Sequence, residues 1–194
     1  MARQARKKSA IGIYHIMMRG INRQNIFEDQ ADCIRFLYTL KQYKEISGYQ
    51  IYAYCLMGNH VHLLLKVGEE PLEQVMRRIC GSYVYWYNWK YQRIGNLFQD
   101  RFKSEPIEND SYFLTALRYI HQNPLKAGLV KNIEDYQWSS IREYTHISEL
   151  VDSNCALKMF NADREKAVIS FIQFCKTVSN EQCLEMEDKR LLSD

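Results

Sequence analysis

Hydrophobic and polar positions along the chain alternate between two periods. Residues 11–20, IGIYHIMMRG, are rich in β-branched and aromatic side chains and stop at Gly20, which predicts a first strand. Residues 29–48 place Cys33, Phe36, Leu37, Leu40 and Tyr43 at helical spacing ahead of Gly48, a helix with a glycine C-cap. Residues 49–68 read as two strands joined by the two-residue turn Gly58–Asn59. A second helix is predicted over 70–95, with Pro71 in its first turn and Gly95 at its close. Residues 96–108 read as a further strand. Residues 109–130 read as a third helix, with Asp110 as N-cap and with Pro124 ending it near Gln122 or Asn123.

The predicted order is therefore β-α-β-β-α-β followed by a third helix. That order matches the ferredoxin-like split βαβ arrangement, an α+β fold with an antiparallel sheet and two helices on one face. The first and third strands are central in that topology. Residues 1–10 read as a basic flexible arm, 11–144 as the core domain and 145–194 as a helical C-terminal extension. Within the extension, residues 162–178 are amphipathic, with Ala167, Val168, Phe171, Phe174 and Cys175 on one stripe.

Composition adds a partner class. Hydrophobic residues make up 46% of the 194, enough for a sizeable core, so the chain is not disordered by composition. Residues 1–132 hold 19 Lys and Arg against 11 Asp and Glu, whereas 133–194 hold 7 against 12. A basic body points to a polyanionic partner, with solubility charge as the plainer alternative. The six cysteines form no CxxC pair, and no run approaches the length of a transmembrane helix. The start of the chain lacks the apolar core of a secretory signal. The expectation is a cytoplasmic protein with reduced thiols and no membrane contact.

The segment CLMGNHVHLLLKV, residues 55–67, sets two imidazoles in an apolar strand. Alternation puts His60 and His62 on one face, about 6–7 Å apart at Cα, and turns Val61 to the other. Such a pair can converge on one metal ion. It also fits two hydrogen-bonded or solvent-facing histidines. In LRYIHQNP the third helix stacks Tyr119 and Asn123 four apart on one face. The Asn123 amide could complete a two-histidine-plus-oxygen site. The Tyr119 phenol would then sit beside a cation that favours phenolate, which makes it a plausible attacker of a phosphodiester. Histidine ligands by themselves lean toward Mn²⁺ or Zn²⁺.

GNHVHLLL followed by RYIHQNPLKAGLV resembles the HUH-type single-tyrosine transposases, in particular the REP-associated (repetitive extragenic palindrome) tyrosine transposase branch. YHIMMRGINRQNIF, GNLFQDRFKSEPI and YQWSSIREY extend the likeness, in order, across residues 14–144. The resemblance implies a ferredoxin-like core that cleaves and rejoins single-stranded DNA with Mg²⁺ or Mn²⁺. It places the metal-binding pair on His60 and His62, the nucleophile on Tyr119, and the third ligand of some members on Asn123, with the adjacent Gln122 as the alternative. Relatives include homodimers whose catalytic helix serves the partner's site, and others that act alone.

Residues 77–103 interleave cations with Tyr83, Tyr85, Trp86, Tyr87, Trp89, Tyr91, Phe98 and Phe102. Cations contact phosphates and aromatics stack on unpaired bases, though about half of these aromatics are expected in the core. Arg78, Lys90, Arg93, Arg101 and Lys103, with Arg19 and Arg23 beside the first strand, are the expected DNA contacts. Arg3, Arg6, Lys7 and Lys8 form an arm that tracks DNA or stays solvated. Trp138 is expected to pack, with Ser139 and Ser140 capping a helix. The leading expectation is a metal-dependent nuclease and strand transferase acting on single-stranded or hairpin DNA through a phosphotyrosine link. The alternative is a non-cutting DNA-binding regulator on the same fold.

Overall fold

The structure, a computed structural model, describes residues 6–146, 148–177 and Cys183. Its core runs β1 (Ile13–Arg19), α1 (Gln30–Ser47), β2 (Gln50–Met57), β3 (His60–Lys66), α2 (Leu72–Lys90), β4 (Lys103–Ile107) and α3 (Asp110–Lys126). The strands form one antiparallel sheet in the order β2-β3-β1-β4. This is the split βαβ arrangement, with β1 and β3 central as the sequence predicts.

Alternation sorts the side chains of the two central strands. Tyr14, Ile16 and Met18 share a face with Val61, Leu63 and Leu65, all buried. The helix pair α1 and α2 covers that face, where Cys80 Sγ lies 3.3 Å from Met18 Sδ. His15, Met17, His60, His62 and Leu64 point the other way, toward α3, which packs across β2 and β3.

Helix boundaries follow local hydrogen bonding. In α1, Asp29 and Asp32 form a reciprocal capping box, and Gly48 closes the helix in the left-handed region at φ 66°. The second helix stops at Lys90, short of Gly95. The fourth strand keeps only Lys103–Ile107 of the predicted 96–108, and residues 96–102 form an irregular loop bridged to Gly20 through Phe98. For α3 the N-cap is Asn109, whose Oδ1 accepts from Tyr112 N at 2.8 Å, and not Asp110.

Pro124 does not end α3. It lies inside the last turn, where its missing N–H removes a single bond, and Ala127 N still donates to Asn123 O at 2.9 Å.

The segment after α3 closes the exposed edge of β2. Leu56 N donates to Trp138 O, Ser140 N to Tyr54 O, and Asp152 N to Ile51 O. Tyr136 and Tyr144 hydroxyls donate to the carbonyls of Leu56 and Tyr52. Ser139 and Ser140 thus pair a strand edge instead of capping a helix: Ser140 Oγ accepts from Tyr54 N at 2.9 Å, and it makes no side-chain cap to the helix that follows.

Beyond it come α4 (Ile141–Thr145), α5 (Ser153–Lys158) and α6 (Arg164–Lys176). The predicted stripe of α6 packs on α3, with Ala167, Phe171 and Cys175 fully buried and Phe171 stacked on Tyr144. Residues 178–182 and 184–194 of the predicted extension lie outside the described residues, as does Arg3 of the arm.

Residues 6–10 of the arm are docked. Arg6 lies 4.0 Å over the Phe102 ring and donates to the Phe102 carbonyl, and Ser9 Oγ donates to Ile107 O at 3.0 Å. Residues 6–10 are therefore held against β4 rather than free.

Candidate active site

The sheet face under α3 gathers four rings. Strand β3 projects His60 and His62, whose centroids lie 5.1 Å apart and whose planes are nearly perpendicular. Strand β1 adds His15, its Nε2 3.0 Å from His62 Nδ1. Helix α3 lowers Tyr119 onto this row, 5.5 Å from the His62 ring and 5.8 Å from the His15 ring. All four side chains belong to one chain. Tyr119 is only 6% exposed, and Lys126 Nζ, two turns further along α3, lies 5.0 Å from its ring centroid.

Burial sets the protonation of the row. It pushes the His15 imidazole down to about 3 and, helped by the Arg19 charge, the His60 imidazole down to about 4. His62 falls well below 6.5, through burial first and then its neighbours His15, His60 and Arg19. Near pH 7 these rings are neutral, as metal ligands must be.

The hydrogen bonds at Nδ1 also fit a metal. Asn59 Nδ2 donates to the Arg23 carbonyl at 3.3 Å, which turns Asn59 Oδ1 toward His60 Nδ1 at 2.7 Å. His60 therefore carries its proton on Nδ1 and keeps a bare Nε2. His62 is likewise engaged through Nδ1. Among the described residues, no three His, Cys, Asp or Glu side chains form a ready metal cluster, so two imidazoles would need oxygen ligands to complete a coordination shell.

The two amides of α3 differ in what holds them. Gln122 Nε2 donates to the carbonyls of Cys175 and Thr177, both at 2.8 Å, and so ties α6 to α3. Asn123 Nδ2 donates to the Tyr119 carbonyl at 2.8 Å, which leaves its Oδ1 as the atom available to a ligand.

The predicted DNA-binding cations separate into groups. Arg19 flanks the histidines as the ladder partner of His60, and its buried Nε has no hydrogen-bond acceptor among the described residues. Lys103 shares the same sheet face, opposite Met17. Arg101 is exposed in the 96–102 loop, beside a cleft of about 470 Å³ that Arg77, Phe98 and Phe102 also line. Arg23 is exposed in the turn after β1, with φ 59°.

Arg78 and Lys90 do not present unpaired charge. Arg78 holds both oxygens of Glu70, at 2.7 and 3.1 Å, and Lys90 bonds Asp29 and the fully buried Asp32. These carboxylates sit at helix starts, where sequence spacing gave no sign that they would meet the cations. Arg93 donates to Gln24 Oε1 at 3.1 Å. Of the aromatics, Tyr83 and Tyr87 are core, whereas Tyr85 and Trp89 are more than 70% exposed.

Sequence reasoning missed His15, Asn59 and Lys126. For His15 a signal existed, since it is the one histidine in the otherwise apolar first strand. Its contact with His62 depends on the β1–β3 register, which no local pattern specifies.

The family model described as "Transposase IS200 like" matches residues 9–123, from the end of the arm to Asn123. A Haemophilus influenzae protein assigned as a REP-associated tyrosine transposase is 29% identical over 112 residues, 52% of this chain and 63% of that protein. The REP-associated tyrosine transposase of Escherichia coli strain K12 is 26% identical over 99 residues, 50% of this chain and 57% of that protein. The match thus spans less than two thirds of the length of either relative.

A solved REP-associated tyrosine transposase bound to a REP hairpin superimposes with a TM-score of 0.62, covering 79% of this chain and 94% of that one. At 20% identity this likeness speaks for the fold, and it covers the four-stranded sheet with its helices. The family match spans every strand and the helix that carries Tyr119, so the chain belongs to the IS200-like transposase family.

Proposed function

We propose that this chain is a metal-dependent nuclease and strand transferase for single-stranded or hairpin DNA, with Tyr119 as nucleophile. The observation that carries the reading is the placement of the Tyr119 ring 5.5 Å from His62 within one chain. His60 and His62 would hold Mg²⁺ or Mn²⁺ through their Nε2 atoms, with Asn123 Oδ1 as a further ligand. The ion, when bound, supplies charge that polarises a scissile phosphate and offsets the charge that builds there.

The protein's own groups do the rest. Tyr119 Oη forms a bond to phosphorus, the P–O3′ bond breaks, the phenol loses its proton and the departing 3′-oxygen gains one. The resulting phosphotyrosine keeps a phosphodiester's reactivity, so a 3′-hydroxyl can reverse the step and rejoin strands. Arg19, whose buried Nε beside the histidines is unpaired among the described residues, and Lys103 on the same face would grip phosphates next to the cleaved one. Arg101 and Arg23 would extend that track. A structural relative is solved with a REP hairpin, which supports hairpin DNA as the substrate.

A second reading, a non-cutting DNA-binding regulator, draws on the burial of Tyr119 at 6% exposure. One experiment separates the two. With Mn²⁺ and a labelled hairpin oligonucleotide, the nuclease forms an adduct that survives SDS, and Tyr119→Phe forms none. An adduct that persists in Tyr119→Phe moves the nucleophile elsewhere; specific binding with no adduct in the native protein favours the regulator.

A further inference from the structure

Two histidines of the row reach the candidate metal position with different support. For His60 the backbone dictates the tautomer: the Arg23 carbonyl orients the Asn59 amide, and Asn59 Oδ1 accepts a hydrogen bond from His60 Nδ1–H. For His62 the partner is another neutral imidazole, His15, and one proton is shared across 3.0 Å. If His62 carries it, His62 Nε2 is bare and matches His60. If His15 carries it on Nε2, His62 holds its own proton on Nε2 and cannot present that atom to a cation.

The outcome turns on the far nitrogen of His15. His15 is fully buried, and its Nδ1 has no hydrogen-bond partner among the described residues. Directly opposite it on β4 stands Glu105, the ladder partner on the same face. Residues opposed this way lie about 4.5–5.5 Å apart at Cβ. Among the described residues Glu105 Oε2 is also buried without a hydrogen-bond partner, and the Tyr112 hydroxyl of α3 interacts with the same carboxyl.

A carboxylate only accepts. Facing His15 it favours a proton on His15 Nδ1, which leaves His15 Nε2 as a lone pair for the Nδ1 proton of His62. Turning the Glu105 carboxyl about its soft terminal torsion is the adjustment this pairing invokes.

We propose that Glu105, His15 and His62 form a hydrogen-bonded relay that holds His62 as the Nδ1-protonated tautomer, with Nε2 presented to the metal. His15 and Glu105 are positioning residues in this account, one and two steps behind the ligand. The proposal builds on the metal reading above, but its first test needs no metal.

In metal-free, ¹⁵N-histidine-labelled protein, two-bond ¹H–¹⁵N correlation spectra should show His60, His62 and His15 each protonated at Nδ1. Calorimetric titration with Mn²⁺ should then show His15→Leu binding about 10–100-fold more weakly than the native protein. His15→Gln, whose side-chain oxygen can accept the His62 proton, should recover most of that loss. Glu105→Leu should shift His62 toward the Nε2-protonated form.

An Nε2-protonated His62 in the native protein overturns the relay, as does unchanged Mn²⁺ affinity in a folded His15→Leu. If native protein binds no Mn²⁺ while the spectra show the Nδ1 tautomers, the metal reading fails and the relay stands. If His15→Leu does not fold, the native spectra and Glu105→Leu still decide.

Discussion

The Tyr119 ring of α3 meets the His62 ring of β3 edge to face, 5.5 Å apart and at 79°, inside a single chain. No second subunit is needed to bring phenol and imidazole together in this arrangement. A mixture of Tyr119→Phe and His62→Ala proteins should therefore not recover cleavage of a hairpin oligonucleotide. Recovery in the mixture, read as product per unit time, would show that α3 exchanges between subunits.

The two adjacent amides of α3 should separate by phenotype. Gln122→Ala removes two donors to the α6 terminus and should lower unfolding free energy by about 1–3 kcal/mol while leaving Mn²⁺ affinity unchanged. Asn123→Ala should do the reverse, with weaker Mn²⁺ binding and a near-native urea midpoint. Loss of metal binding in Gln122→Ala, with α6 still docked, would exchange their roles.

Stability should fall with acid through buried histidines. Burial holds the His121 imidazole at about 3, against 6.5 when exposed. Above pH 6.5 the ring is neutral whether the chain is folded or not, and its contribution is constant. Below that the unfolded chain takes up a proton that the folded one refuses. Each pH unit from 6.5 down to about 3 then costs about 1.4 kcal/mol from this residue. His15 and His60 act in the same direction. Urea melts at pH 7 and pH 5 should show a clear loss in the native protein and a shallower one in His121→Gln. An equal loss in both would count against a neutral, buried His121.

The cations should divide as their partners do. Arg19→Ala and Lys103→Ala should each weaken hairpin binding and lower the slope of log affinity against log salt by about one. Arg78→Ala should leave that slope unchanged and lower the thermal midpoint, because its guanidinium is spent on Glu70. A salt slope that drops in Arg78→Ala would mean that the Glu70 pair opens to DNA.

Local features were legible because they depend on near neighbours. The Gly58–Asn59 turn, the Gly48 cap and the shared face of His60 and His62 follow from turn geometry, helix termination and strand alternation. Pro124 misled for the same reason. A proline in the last turn forfeits one bond, and packing of Phe113, Leu117 and Ile120 beneath the sheet outweighs that loss.

What the chain alone determined is the order of elements, the pairing of His60 with His62 and the stacking of Tyr119 over Asn123, all within a few residues of one another. Tertiary structure decided the rest. It brought His15 to His62 through strand register, opposed Glu105 to His15 across a ladder, spent Gln122 on α6 and turned Arg78 and Lys90 to carboxylates. Apart from Arg78 and Glu70, which are eight positions apart, these contacts join residues far apart in sequence. Side-chain periodicity states which face a residue occupies, and only the folded packing states what stands opposite.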